Sequence, residues 1–223
     1  MTDWAAPDRR AELWGRRKQY ETEGLDVSDV DSDPVVQWNR WHQDALDGGV
    51  AEPNAMTVAT VGADGIPDAR IVLVREADRR GLVFYSNYSS AKSRQLEQVP
   101  AAAAVFSWLD LHRQVRVRAR VERVSDAESD AYFASRPRGS QLGAWASPQS
   151  EVIADRTELE KLVIATDEEF ADTDVPRPAH WGGWRLVVFE WEFWQGRPSR
   201  LHDRLRYRCN DDDDSWVITR LAP

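Results

Sequence analysis

Gln114-Val115-Arg116-Val117-Arg118-Ala119-Arg120-Val121 alternates polar and apolar side chains residue by residue. That is the period of a β-strand with one buried face and one basic face. The stretch decides the fold class because its neighbours along the chain repeat the pattern at short spacing. Met56 to Val61, Ala69 to Val74 and Leu82 to Tyr85 are β-rich runs separated by turns at Asp64-Gly65 and Arg80-Gly81, so a meander is expected. Ala101 to Trp108 reads as another strand, and Trp184 to Trp194, Leu201 to Arg208 and Trp216 to Leu221 return to strand character. Helices fall between them. Asp33-Pro34 supplies an N-cap acceptor and a first-turn proline, after which Val35, Trp38, Trp41 and Leu46 recur at helical spacing until Gly48-Gly49. Ser89 to Gln98 reads as a helix, Ser125-Asp126-Ala127-Glu128 is a capping box opening a helix toward Ser135, and Asp155 to Phe170 is amphipathic. Parallel βαβ alternation is absent. The expectation is an α+β fold, mainly β, with an antiparallel core and peripheral helices.

At 223 residues, 42% of them hydrophobic, the chain can bury one sizeable core. Residues 1–32 are polar and acidic and read as a short helix followed by a mobile linker, leaving 33–223 as a single domain. A net charge of −9 argues against a nucleic-acid coat or an anionic-membrane binder, whose affinity comes from Lys and Arg on phosphates. The single cysteine, Cys209, fits a reducing compartment, with cytoplasm the default. The first residues carry no apolar leader, and the longest near-apolar run, Val99 to Leu109, is too short to span a bilayer. His42, His112, His180 and His202 are dispersed, and Asp211 to Asp214 reads as a hairpin loop, so no metal centre is expected. Phosphate-loop, dinucleotide, zinc-protease and serine-hydrolase motifs are all absent.

What the sequence does contain is positive charge at the ends of elements. Arg70 and Arg75 bracket Arg70-Ile71-Val72-Leu73-Val74-Arg75 and lie on opposite faces of a regular strand. Tyr85-Ser86-Asn87-Tyr88-Ser89-Ser90-Ala91-Lys92 brings hydroxyls and a lysine to a helix start, which suits a phosphate as well as an ordinary N-cap. Tyr132 to Ser147 holds Arg136, Arg138 and several hydroxyls at a helix exit, a second arrangement able to surround a phosphate or to remain a solvated surface. In a strand, Arg200, His202 and Arg204 would share one face, and that face would call for an anion or an electron-rich ring.

Together these residues resemble the pyridoxamine 5′-phosphate oxidases, FMN enzymes with an antiparallel split β-barrel. The resemblance runs from about Arg17 to Pro223 and rests on several ordered motifs: Glu52-Pro53-Asn54-Ala55-Met56, Arg70-Ile71-Val72-Leu73, Phe84-Tyr85-Ser86-Asn87, Ser135-Arg136-Pro137-Arg138, Gln141-Leu142-Gly143-Ala144-Trp145, Trp181-Gly182-Gly183, Glu192-Phe193-Trp194-Gln195-Gly196 and Arg200-Leu201-His202-Asp203-Arg204. It implies that Arg70, Tyr85, Ser86 and Lys92 hold FMN, with Arg70 and Lys92 on its phosphate and Ile71, Val72, Leu73, Val74 and Arg75 bordering it. Gln114, Gln149, Ser150, Trp194 and Arg204 would complete the flavin site. For the substrate phosphate it implies Tyr132, Arg136 and Ser140, with Arg75 close to both ligands and Arg200 and His202, the catalytic pair, framing the pyridine ring. Arg17 and Tyr20 match a segment that folds over the substrate, and a homodimer with FMN at the subunit interface is implied.

Two positions depart from the family pattern: Arg75 replaces a common lysine, and Ala91 replaces an arginine beside the phosphate-binding lysine. A planar fork is not a compact ammonium, so substrate scope is a property to test. The implied reaction oxidises pyridoxamine or pyridoxine 5′-phosphate to pyridoxal 5′-phosphate with O2 as acceptor and H2O2 as by-product. The rivals are an FMN oxidase of another heterocycle, of the phenazine-biosynthesis type, and a non-catalytic flavin or pyridoxal-phosphate binder.

Overall fold

β7 (Trp181–Gln195) runs fifteen residues, pairs with β6 (Arg113–Arg123) along one edge, and divides its other edge between two strands. Trp181 to Leu186 pair with β4 (Gly81–Asn87), whereas Glu190 to Gln195 pair with β8 (Asp203–Cys209). The register with β6 shifts between Arg118 and Ala119, so Phe189 is the extra residue of a bulge at the point where the sheet splits. A bulge bends its strand and increases its twist, which is how one strand serves two diverging sheet halves.

The computed structural model describes residues 14–15, 20–210 and 215–223. Among them, β1 (Ala55–Val61), β2 (Pro67–Leu73), β3 (Glu76–Asp78) and β5 (Ala101–Trp108) complete an antiparallel path β2-β1-β5-β6-β7-β4-β3, and β9 (Trp216–Leu221) pairs with β8. The antiparallel core is the one expected from the strand pattern, and its split-barrel arrangement is the one the family resemblance implies. The alternation of β6 is realised: Val115, Val117, Ala119 and Val121 are buried while the intervening arginines face outward. Among the described residues, α1 (Pro34–Asp47), α2 (Ala91–Gln98), α3 (Asp126–Ala134), α4 (Arg138–Ala146) and α5 (Arg156–Glu169) surround the sheet. α1 is capped by Asp33 and inserts Trp38 and Trp41 into the main core, each burial contributing on the order of 2 kcal/mol. The predicted capping box of α3 is present in both directions between Ser125 and Glu128.

Three expectations are corrected. The first strands do not form a simple meander, because β4 pairs with β3 and β7 rather than with β2. The Tyr132 to Ser147 stretch is not an open helix exit: α3 ends at Ala134, and a new helix, α4, starts three residues after Ser135. Arg200 and His202 do not share a strand face with Arg204, since Pro198–Arg200 form a 3-10 turn and β8 begins only at Asp203. Ser199 and Arg200 adopt φ of 57° and 63°, a left-handed conformation that no side-chain pattern announces. The Asp211 to Asp214 loop and Arg17 lie outside the described residues; Asn210 N–H donates to Ser215 O at 2.8 Å where β8 and β9 meet. Among the described residues, no helix is long and apolar enough to cross a membrane, and no group of three or more His, Cys, Asp or Glu is placed to hold a metal.

Candidate active site

A cavity of about 450 Å³ opens where β2, β4, the start of α2 and the α3–α4 turn converge. β2 lines it with Arg70, Ile71, Val72 and Leu73, and Arg75 follows just beyond that strand. β4 contributes Tyr85 and Ser86, and α2 contributes Lys92. Tyr132 of α3, Arg136 of the turn and Ser140 of α4 close the opposite side with Gln149 and Trp181.

At one pole, Lys92 Nζ donates to Ser86 Oγ at 3.0 Å, Ser90 Oγ at 3.3 Å and Gln149 Oε1 at 2.8 Å, all neutral partners. Burial and the nearby Arg70 guanidinium lower its pKa to about 8. An ammonium held without a carboxylate is under electrostatic pressure that an anion relieves. Arg70 stands next to it, anchored to Thr60 Oγ1 at 2.6 Å and to the Asp68 carboxylate, with Gln95 Oε1 at 3.2 Å. Two cations, a hydroxyl and a carboxamide therefore converge at the head of a helix capped by Ser90, a donor set that fits the phosphate of FMN.

The second pole is Arg136. Its guanidinium carbon sits 4.6 Å from the centre of the Trp181 ring and 5.6 Å from that of Phe133, and its buried Nη1 has no hydrogen-bond partner. Burial, with Arg75 adding repulsion, holds its pKa below the usual arginine value. A buried guanidinium donor without an acceptor is uncommon in a folded protein and marks where an acceptor belongs. Arg138, the other arginine of this segment, is committed elsewhere: it donates to Thr173 O at 3.0 Å and Phe170 O at 2.6 Å. Between the poles, Tyr85 stacks on Tyr132 with ring centres 4.0 Å apart and on Trp181 at 5.6 Å, forming an aromatic wall. Tyr85 Oη donates to Glu76 Oε1 at 2.9 Å, and burial together with this carboxylate pushes the phenol well up.

The remaining predicted residues gather elsewhere. Gln114, Trp194 and Arg204 are direct cross-strand neighbours on β6, β7 and β8, a row on one face of the sheet. His202 packs against Trp194 at 4.5 Å between ring centres, and Tyr20 lies 4.3 Å from His112, 5.9 Å from His202 and 6.3 Å from Trp194. His202 Nδ1 accepts the Arg197 backbone N–H at 3.1 Å, so the neutral ring carries its proton on Nε2. Burial and the neighbouring Arg200 both lower the pKa of His202, favouring that neutral form. None of these row residues lines the cavity of the same chain. Val74 is in the main core, and Ser150 follows Gln149 with φ of 73°. Residues that the sequence reading gave no role, Glu76, His112, Trp181 and Glu192, each touch one of these two groups. Trp181 was signalled by its Trp-Gly-Gly motif and Glu192 by its place at the head of Glu192-Phe193-Trp194-Gln195-Gly196; Glu76 lies in none of the motifs.

A larger cavity, about 940 Å³, lies between residues 23–29, α1 and β8–β9. Its arginines are paired with carboxylates: Arg220 with Asp203 and Asp26, Arg113 with Asp44, and Arg197 with Asp203. That neutralisation separates it from the Lys92 and Arg136 poles.

Residues 43–167 match the family model described as pyridoxamine 5′-phosphate oxidase, and residues 181–223 match the pyridoxine 5′-phosphate oxidase C-terminal dimerisation region. A pyridoxine/pyridoxamine 5′-phosphate oxidase of Burkholderia lata is 54% identical over 93% of this chain and 97% of its own length. One from Nostoc sp. is 51% identical, with 93% of this chain and 96% of that protein covered. Among solved structures, PhzG of Burkholderia lata in complex with tetrahydrophenazine-1-carboxylic acid superposes with a TM-score of 0.85 at 28% identity, covering 92% of this chain and all of that one. With the anion-seeking cavity, the split sheet and these matches in hand, the chain belongs to the pyridoxamine 5′-phosphate oxidase family and is an FMN-dependent oxidoreductase.

Proposed function

We propose that the chain oxidises pyridoxamine 5′-phosphate or pyridoxine 5′-phosphate to pyridoxal 5′-phosphate in the cytoplasm, with dioxygen as electron acceptor and hydrogen peroxide as by-product. The observation that carries this reading is the second cationic pole. Beside an anion position already provided by Arg70 and Lys92, Arg136 keeps a buried, unpartnered donor next to Tyr132 and Ser140. One cavity with two such poles suits two phosphate esters, one on the coenzyme and one on the substrate. The curated relatives of 54% and 51% identity support the same substrate class.

FMN, when bound, would supply the redox chemistry, a hydride equivalent leaving C4′ and its electrons reaching dioxygen; with loss of a proton the alcohol substrate gives the aldehyde directly, and the amine gives an imine that water hydrolyses with release of ammonia. The protein contributes binding and orientation. Arg136, Tyr132 and Ser140 grip the substrate phosphate, and that remote binding energy aligns the reacting carbon. The cavity holds no residue of the Gln114–Trp194–Arg204 row, and the C-terminal region matches a dimerisation region, so we infer that a second copy brings its row and its Arg200 and His202 to this cavity. There His202 would offer the Nε2 proton to an oxygen of the substrate ring, and Arg200, exposed in its left-handed turn, would cover the ring face.

A second reading, oxidation of a phenazine-type ring, draws on the likeness to PhzG and its bound carboxylic acid. Anaerobic mixing of the FMN-loaded protein with each compound separates the two. Bleaching of the flavin by pyridoxamine 5′-phosphate supports the first reading. Bleaching by tetrahydrophenazine-1-carboxylic acid, with no response to the phosphorylated pyridines, replaces it with the second.

A further inference from the structure

We propose that Glu192 is a positioning residue for the flavin site, holding the Arg204 guanidinium in the orientation that meets FMN; this rests on the placement of Arg204 in that site under the proposed function. Glu192 lies in β7 between Trp191 and Phe193, whose side chains are buried in the core on the opposite face of the strand. The Glu192 side chain is only 4% exposed, yet it carries a carboxylate. Its Oε1 accepts from Arg204 Nε at 2.9 Å and its Oε2 from Arg204 Nη2 at 3.1 Å, a bidentate grip. Arg116 Nη2 adds a further bond to Oε2 from the other flanking strand.

The register makes this choice of partner informative. The residue directly opposite Glu192 on β8 is Arg206, not Arg204, which instead faces Trp194. Glu192 nevertheless reaches along the diagonal to Arg204, and Arg206 is left with a buried Nε that has no hydrogen-bond partner. On β6 the carboxylate meets its directly opposite cation, Arg116, whereas on β8 it passes over the directly opposite Arg206 for the diagonal Arg204; charge balance alone does not account for that second choice, and a buried ion pair is seldom more stabilising than apolar residues of the same volume. Arg204 gains a third anchor where Nη1 donates to Ala222 O at 2.9 Å. With Nε, Nη1 and Nη2 each holding one bond, a single N–H on each terminal nitrogen remains for a ligand. The guanidinium plane is thus fixed before the flavin arrives, and Arg116 pairs with the same carboxylate as a second cation.

The test is a double-mutant cycle on FMN binding, followed by quenching of flavin fluorescence as FMN is titrated into the FMN-free full-length protein. Glu192→Gln keeps the shape and removes the charge. It should weaken FMN binding about tenfold, the effect of one lost charge-assisted contact, and change the visible circular dichroism of the bound flavin. In an Arg204→Ala background the same substitution should add less than about twofold, because the residue it positions is gone. If Arg204→Ala weakens binding while Glu192→Gln binds FMN as tightly as the parent, Glu192 is not the positioning residue. If Glu192→Gln is as damaging without Arg204 as with it, its role is general packing and the proposal also falls. Unchanged binding in Arg204→Ala would instead remove Arg204 from the flavin site and overturn the reading underneath. Should Glu192→Gln fail to fold by far-ultraviolet circular dichroism, Glu192→Asp, which retains charge but withdraws the carboxylate by a methylene, enters the same cycle with the same expectations.

Discussion

Lys92 and Arg136 are both cations kept from water without a carboxylate, and each therefore makes a distinct prediction. For Lys92 the ligand-free pKa of about 8 lies below the 10.5 of an unstrained lysine. Below pH 8 the buried ammonium is charged and the FMN-free protein bears its full penalty; between about 8 and 10.5 the unfolded chain binds the proton and the folded one does not, so stability rises with pH across that window. FMN binding responds in the opposite sense. As pH rises through 8 the ligand-free lysine loses its charge, so the FMN dissociation constant should increase, and Lys92→Met should flatten that dependence; an affinity independent of pH between 7 and 9 in the parent would contradict the site. For Arg136, replacement by Lys removes the planar fork but keeps the charge. The KM for a phosphorylated substrate should rise by roughly 10- to 100-fold, the worth of one or two charge-assisted hydrogen bonds, while FMN content stays unchanged. Steady-state kinetics beside a flavin-to-protein absorbance ratio checks both halves.

At the level of elements, the aromatic wall depends on how closely β7 approaches β4. A Cβ on Gly183 would lie 2.5 Å from Val124 Cγ2 and 2.8 Å from the Tyr85 ring, so the strand admits no side chain there. Gly183→Ala should cost on the order of 1–3 kcal/mol by overpacking and, because the displaced atom belongs to Tyr85, should weaken FMN binding as well. Thermal denaturation and flavin titration of the same variant test the pair; a lower melting temperature with unaltered FMN affinity would detach Tyr85 from the flavin. The strands themselves were legible because burial of one face imposes period two, most plainly in β6, and the caps of α1 and α3 because Asp33 and Ser125-Glu128 satisfy orphan N–H groups locally. α4 was not legible: Arg138-Gly139-Ser140-Gln141-Leu142-Gly143 carries two glycines and starts after Pro137 with no side-chain cap, so only tertiary packing of Leu142 and Ala144 makes it a helix. β3, three residues long, offers no period at all. The cationic site residues were readable from their motifs, whereas Glu76 lies in none, and Glu192, though it opens the motif Glu192-Phe193-Trp194-Gln195-Gly196, gave no sign of its role; the partners Tyr85 and Arg204 are fixed by strand pairing rather than by sequence distance.

On the scale of the whole molecule, the split in β7 sends the two groups of expected site residues to different places in one chain. β4, on one part of its edge, carries Tyr85 and Ser86 to the cavity, while β8, on the other, carries Arg204 beside Trp194 and away from it. If each working site takes its phosphate poles from one copy and its row from the other, lesions on the two sides must complement. Arg136→Ala disables the cavity and His202→Ala the row, so each homodimer should be nearly inactive. In a heterodimer one composite site holds both lesions and the other holds none; random pairing of equal amounts then restores about a quarter of parental activity. Isolating the heterodimer with two affinity tags should raise the value to about half per dimer. Were cavity and row of the same chain to form one site, every site in the mixture would keep one lesion, and the mixed dimers would be as inactive as their parents. Activity of the doubly tagged species, measured with pyridoxamine 5′-phosphate under air, therefore decides whether dimerisation through the C-terminal region builds the active site or merely joins two complete ones.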